Sequence, residues 1–176
     1  YSPFLNDQAF VIDTLAKSMP SGVKLLLKEN PKMWGRRSAS FYQRASESPE
    51  VVWLDPKTPS QDILDRCDAV VTLTGTTALE AVLIGKPVAL LGGPPFASAL
   101  TSIPRVGALD EIPATIQGLL DGTGMPLSTV LHEEYARYIA NLAPAYMGGV
   151  DRVEGIDMPT IAPSPYLAEF ALASLV

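Results

Sequence analysis

The sequence predicts an α/β domain: a doubly wound parallel sheet with helices on both faces. Three observations predict it. Segments of helical periodicity alternate with short apolar runs along the chain. Those runs are apolar throughout instead of every second residue, as strands covered on both faces must be. The chain has 176 residues and is 47% hydrophobic, enough for one compact domain with a real core.

Asn6 to Ser18 places apolar residues at Phe10, Val11, Ile12, Leu15 and Ala16, the spacing of an amphipathic helix with Asn6 or Asp7 near its cap. Pro20-Ser21-Gly22 ends it, and Val23 to Leu27 follows as a buried strand. Glu29 to Gly35 reads as loop, and Arg36 to Ala45 as a helix with Phe41 and Tyr42 on its apolar side. Val51 to Leu54 is a second strand, closed by Asp55-Pro56. Ser60 is a suitable N-cap for a short helix over Gln61 to Arg66. Ala69 to Leu73 is a third strand, Thr76 to Ile84 a helix stopped by Gly85 and Pro87, and Val88 to Leu91 a fourth strand. A weak fifth strand is expected near Arg105-Val106.

Asp110 to Leu120, Ser128 to Leu142 and Tyr166 to Leu175 read as helices. Residues 143–165 are rich in Pro, Gly and Met and read as an irregular excursion, so that 143–176 leads a last helix back onto the body. Residues 1–176 are thus expected to form a single domain. With right-handed crossovers the order gives a Rossmann-like sheet. The chain opens at Tyr1 without methionine and is expected to be a piece of a longer protein.

Composition narrows the function. Lys plus Arg total 13 against 19 Asp plus Glu, a net charge of -6, and no basic stripe is visible, so nucleic acid is not an expected partner. Cys67 is the lone cysteine, which suits a reducing compartment, and no apolar run approaches the ~20 residues of a membrane span. His132 is the lone histidine and sits beside Glu133 and Glu134, too few ligands for a metal site and no basis for a serine triad. The Gly-x-x-x-x-Gly-Lys-Ser/Thr phosphate loop and the Gly-x-Gly-x-x-Gly dinucleotide fingerprint are both absent. No cofactor is expected.

In an open parallel sheet, ligands bind beyond the carboxyl ends of the strands. Three segments with polar groups emerge there. In Thr74-Gly75-Thr76-Thr77, a strand turns through a glycine into a helix, whose first N–H groups and dipole suit a phosphate. The threonines could equally serve only to cap that helix. Glu80 lies one turn further in, within Glu-Ala-x-x-x-Gly-x-Pro, where a carboxylate can accept the hydroxyls of a ribose. Its apolar neighbours suggest that it is partly buried, which would call for a partner. At the end of the first strand, Lys28 could meet a phosphate and Asn30 a nucleotide, with Pro31 holding Asn30 extended. Arg36 could add positive charge, although Arg36 and Arg37 are more simply read as solvated. After the fourth strand, Gly92 permits close approach, and Phe96 either lines a sugar or base pocket or packs inward.

The run Lys28-Glu29-Asn30-Pro31, Gly35-Arg36, Phe41-Tyr42, Asp55-Pro56, Ser60, Asp68-Ala69-Val70-Val71, Gly75-Thr76, Glu80-Ala81, Gly85-Lys86-Pro87-Val88 and Gly92 resembles the C-terminal half of capsule polysaccharide biosynthesis proteins, over about residues 7–96. Those proteins are similar to two-domain glycosyltransferases of the GT-B type, and some use CMP-Kdo. The resemblance implies a sugar-nucleotide donor domain, CMP- or UDP-linked, with Glu80 on the ribose and Gly75, Thr76 and Thr77 on the phosphates. The family motif reads Lys-Glu-His-Pro where this chain has Asn30, which leaves the donor nucleotide open. The resemblance also implies a separate N-terminal domain that brings a saccharide acceptor and the catalytic base, so this chain alone is expected to be inactive. A cytoplasmic location is implied, with peripheral association at the inner membrane face. An epimerase of the same architecture and a non-catalytic binding module are the alternatives.

Overall fold

The four apolar runs form strands where they are expected: β1 (Val23–Glu29), β2 (Val51–Trp53), β3 (Ala69–Thr72) and β4 (Val88–Leu90). The structure is a computed structural model that describes residues 6–73, 75–123, 128–147 and 168–174. β1 pairs with β2 in parallel, and β3 pairs with β4 in parallel. The Arg105 region contributes a single parallel bridge to Leu90 rather than a strand.

The sheet is not wholly parallel. A fifth strand, β5 (Ala168–Ser174), lies in its centre, giving the order β2-β1-β5-β3-β4. It runs antiparallel to β1 and to β3. This corrects the helix expected over Tyr166 to Leu175. Alanine and leucine favour a helix locally, but only by tenths of a kcal/mol per residue. The inner edges of β1 and β3 each carry a row of backbone groups that must be paired once buried. A segment between them serves both edges, and that tertiary demand outweighs local propensity. The fold is therefore a mixed α/β arrangement of two parallel strand pairs bridged by an antiparallel strand.

Strand parity sorts the helices. Leu25, Leu27, Ala69, Val71, Leu73, Ala89 and Leu91 belong to one buried cluster. It is completed by Val11, Ile12 and Leu15 of α1 (Gln8–Lys17), Ala45 of α2 (Ala39–Ala45), and Ile112, Ile116 and Leu119 of α5 (Ile112–Leu120). The even-numbered Leu26, Val70, Val88 and Leu90 belong to the second cluster. There they meet Leu64 of α3 (Ser60–Arg66), Ala78, Ala81 and Val82 of α4 (Thr77–Leu83), and Leu131 of α6 (Ser128–Met147). Successive side chains of a strand point to opposite faces; β3 buries both, and β1 buries its odd residues while its even ones are half-buried.

Local chemistry sets the helix ends. Asp7 caps α1 by accepting from the Phe10 amide at 3.1 Å, and Ser38 caps α2 by accepting from that of Phe41 at 3.2 Å. The second helix therefore starts at Ala39, three residues later than its apolar spacing suggests. α4 ends at Gly85, φ +73°, with Gly85 N–H bonded to Val82 O and Lys86 N–H to Ala81 O, the paired closure that a left-handed glycine permits. Lys86 Nζ then donates to the Cys67 and Asp65 carbonyls, so this lysine closes the end of α3. Ser60 is the first residue of α3 and not its cap; the N-cap is Pro59, which makes no side-chain bond. The expected helix from Asp110 begins as a 3-10 turn over Leu109–Glu111. α6 runs to Met147, so residues 143–147 are helical instead of irregular. Residues 148–165 lie outside the described residues.

α6 is fastened by a buried carboxylate. Glu134, 6% exposed, accepts from Thr101 Oγ1 at 2.8 Å, Ser102 Oγ at 3.0 Å and the Ser102 amide at 3.1 Å. Burial pushes its pKa up, but the Thr101 and Ser102 donors, helped by Arg137, outweigh burial and hold it below the usual glutamate value. A carboxyl with a depressed folded pKa adds stability that is present above its unfolded pKa and lost as the pH falls through the folded one. Glu134→Gln should lower stability at neutral pH by about 1–3 kcal/mol, the range for bonds to a charged group. It should also flatten the acid limb of the stability curve below pH ~4.3, the unfolded glutamate range. Urea denaturation of both proteins from pH 7 to pH 3 measures this. Ending the chain before Ala168 should remove the cooperative thermal transition, because β1 and β3 lose their shared partner; an unchanged melt by circular dichroism would show that β5 is dispensable.

Candidate functional site

Because β1 to β4 are mutually parallel, their carboxyl ends share one edge of the sheet. Lys28 and Thr72 both stand opposite Glu169 of β5. They are thus level with each other across the sheet, two strand spacings or roughly 10 Å apart. Both are even-numbered and project to the face covered by α3 and α4. Lys28 is half-buried and donates to Ser60 Oγ at 3.0 Å, so the serine hydroxyl expected to cap α3 instead receives the lysine.

At the exit of β3 the buried Thr72 hydroxyl accepts from the Gly75 amide at 2.9 Å and shapes the turn into α4. Thr74 lies outside the described residues. Thr76 is exposed at the N-cap position and makes no side-chain cap bond, so its hydroxyl does not perform the capping that could have explained it. Thr77 opens the helix and is 6% exposed. Its hydroxyl has no hydrogen-bond partner among the described residues. Glu80 is exposed, contrary to the partial burial its neighbours suggest. The reason is that α4 buries Ala78, Ala81 and Val82, while Leu83 stands 48% exposed on the other side.

On the opposite face of β1 the loop has a defined shape. Asn30 takes φ −60°, ψ 128°, the extended setting that Pro31 requires, and its Oδ1 accepts from the Lys32 amide at 3.0 Å. Arg36 is exposed. Arg37 is not solvated as expected: its Nε donates to Glu29 Oε1 at 3.0 Å, and its guanidinium lies over the Phe41 ring, 4.4 Å from the centroid. Glu29 is itself 5% exposed and also accepts from the Tyr42 hydroxyl at 2.8 Å. Burial and the Glu29 carboxylate push the Tyr42 phenol up from its ordinary value. Apolar spacing does not group Glu29, Arg37 and Tyr42. The available signal was parity: Val23, Leu25 and Leu27 face inward, so Glu29 must as well, and a buried carboxylate needs donors.

Gly92 follows β4 at the same edge, and Phe96 packs inward at 3% exposure with Ala97 and Leu100. Burial raises the pKa of Cys67, which is a packing residue and not an activated thiol. Among the described residues no cluster of three or more His, Cys, Asp or Glu gathers as a metal site, and no helix is long and apolar enough to cross a membrane.

Comparison with known proteins agrees with the motif run. The family model for capsule polysaccharide biosynthesis proteins matches residues 2–102, more than half of the 176-residue chain. No match was found among curated proteins or among solved structures. The matched segment holds β1 to β4, the β1 loop and the turn into α4, so every candidate residue falls inside it. The chain belongs to the capsule polysaccharide biosynthesis protein family.

Proposed function

We propose that this chain is a donor-binding domain of a glycosyltransferase that builds capsule or surface polysaccharide, of the Rossmann-like GT-B type. The carrying observation is the buried Thr77 hydroxyl, without a partner among the described residues, at the start of α4 on the edge where Lys28 also emerges. A buried hydroxyl left unbonded costs about 1–3 kcal/mol. A phosphate oxygen accepting from it would remove that cost. The adjacent helix start favours the same anion. The family match supplies the biosynthetic setting.

On this reading a CMP- or UDP-linked sugar lies along the carboxyl edge. Thr76, Thr77 and Gly75 hold phosphate, Glu80 accepts from the ribose, and Lys28 and Asn30 approach from the β1 side. When the bond between the sugar carbon and the phosphate oxygen breaks, the electron pair leaves on that oxygen. Lys28 and the start of α4 stabilise the growing charge electrostatically. A second domain brings the acceptor hydroxyl, which forms the new bond to the sugar carbon, and the base that takes its proton. We place the chain in the cytoplasm, the full protein meeting the inner membrane face peripherally; the lone buried cysteine is compatible with a reducing compartment.

Isothermal calorimetry with a panel of CMP, UMP, UDP and sugar nucleotides tests the reading. Weak binding without turnover is expected of this chain. Glu80→Ala should weaken binding by about 1–3 kcal/mol, since hydrogen bonds to a charged acceptor are lost. Thr77→Val should weaken binding while leaving the melting temperature equal or higher, because the replacement matches the volume and removes an unbonded buried hydroxyl. If both variants bind every nucleotide as the wild type does, the donor-site assignment is wrong.

A further inference from the structure

The loop after β1 is built around a buried relay. Tyr42 Oη donates to Glu29 Oε2 at 2.8 Å and accepts from the Gly35 amide at 3.2 Å. One hydroxyl therefore ties the end of β1 to the middle of the loop that follows it. Around this tie the loop is closed by its own backbone: Met33 N–H to Asn30 O at 2.8 Å and Arg36 N–H to Met33 O at 3.0 Å. Gly35 sits at φ +71°, a conformation that side chains rarely adopt, which lets the chain reverse beside Trp34. The tyrosine ring is held in turn by Phe41, edge-on at 5.5 Å, and by Trp53 at 5.6 Å.

Such a network is more than a surface loop needs. A carboxylate as buried as Glu29 tolerates its desolvation only with donors, and two side chains supply them, Arg37 at 17% exposure and Tyr42. What the network holds in place is exposed. Trp34 stands 61% open to solvent, and Asn30 is half-exposed, with Lys32 and Arg36 open on either side of Trp34. An apolar ring and two cations kept in a fixed backbone at the ligand edge form a recognition surface arranged in advance. Fixing a loop in its bound form raises affinity by removing the ordering cost.

We infer that Tyr42, oriented by Glu29, is a positioning residue: its hydroxyl latches Gly35 so that Asn30, Trp34 and Arg36 meet a ligand already arranged. This rests on the donor-site reading for the identity of that ligand, but not for the latch itself.

The test compares wild type with Tyr42→Phe, which keeps the ring packing and deletes both bonds of the hydroxyl. Hydrogen exchange should quicken at the amides of residues 32–36 and stay unchanged in β1 and β3. In the same protein, affinity for the best nucleotide of the calorimetry panel should fall about three- to tenfold, the equivalent of one lost hydrogen bond. Glu29→Gln should loosen the same amides. If it fails to fold because Arg37 is left without its anion, Tyr42→Phe alone decides. Unchanged exchange at residues 32–36 in Tyr42→Phe overturns the latch. Faster exchange with unchanged affinity overturns the positioning role. Should the wild type bind no nucleotide at all, the donor reading falls, and the exchange comparison still judges the latch.

Discussion

The two-residue period of the inner strands is the constraint from which the rest of the molecule follows. β3 and β4 are buried at every residue and β1 at every second one, so odd and even residues of the strands face separate apolar covers. Odd residues meet α1, α2 and α5, and even residues meet α3, α4 and α6. Parity also fixes polar groups at the strand ends, where the apolar pattern stops. Lys28 inherits the α3 face and reaches Ser60, while its neighbour Glu29 inherits the α2 face and reaches Arg37 and Tyr42. Two adjacent charged residues are thereby sent to opposite sides of one strand, into two separate networks.

The two sides of the carboxyl edge are stabilised differently. On the β1 side every buried polar group of the relay is bonded, and side chains tie the loop to the strand. On the β3 side the Gly75 amide donates to Thr72 Oγ1, and the next buried hydroxyl, Thr77, is left without a partner among the described residues. β5 enters the sheet between them, with Ala168 opposite Glu29.

Much of this was legible in the sequence, for physical reasons that differ by element. β3 and β4 show as unbroken apolar runs because both their faces are covered, and β1 and β2 show as short apolar runs bounded by turn residues. The end of α4 shows because only glycine enters the left-handed region cheaply and Pro87 cannot continue a helix. The backbone of Asn30 shows because Pro31 restricts it sterically. β5 does not show: its seven residues are rich in alanine, and its pairing depends on edges about 100 to 150 positions earlier in the chain. Ser60 has the right chemistry for a cap, but a strand 32 residues away claims its hydroxyl. Nor could spacing say which of Thr76 and Thr77 is buried, since adjacent positions at a helix start differ only in the face they meet.

The contrast between Glu29 and Thr77 bears on how polar burial should be read. Both are nine-tenths buried or more, both lie within a few residues of a strand exit, and both fall in the family-matched segment. Glu29 spends its two oxygens on two donors, so its chemistry is complete within the fold and it acts on other residues by holding them still. Thr77 leaves its hydroxyl without a partner among the described residues, so its chemistry is not accounted for by them. A satisfied buried group is accounted for within the fold, whereas an unsatisfied one calls for an explanation. Burial alone does not separate the two; the count of partners does. By that measure the β1 loop is complete within the fold, and the start of α4 holds the buried hydroxyl that the proposed phosphate contact would satisfy.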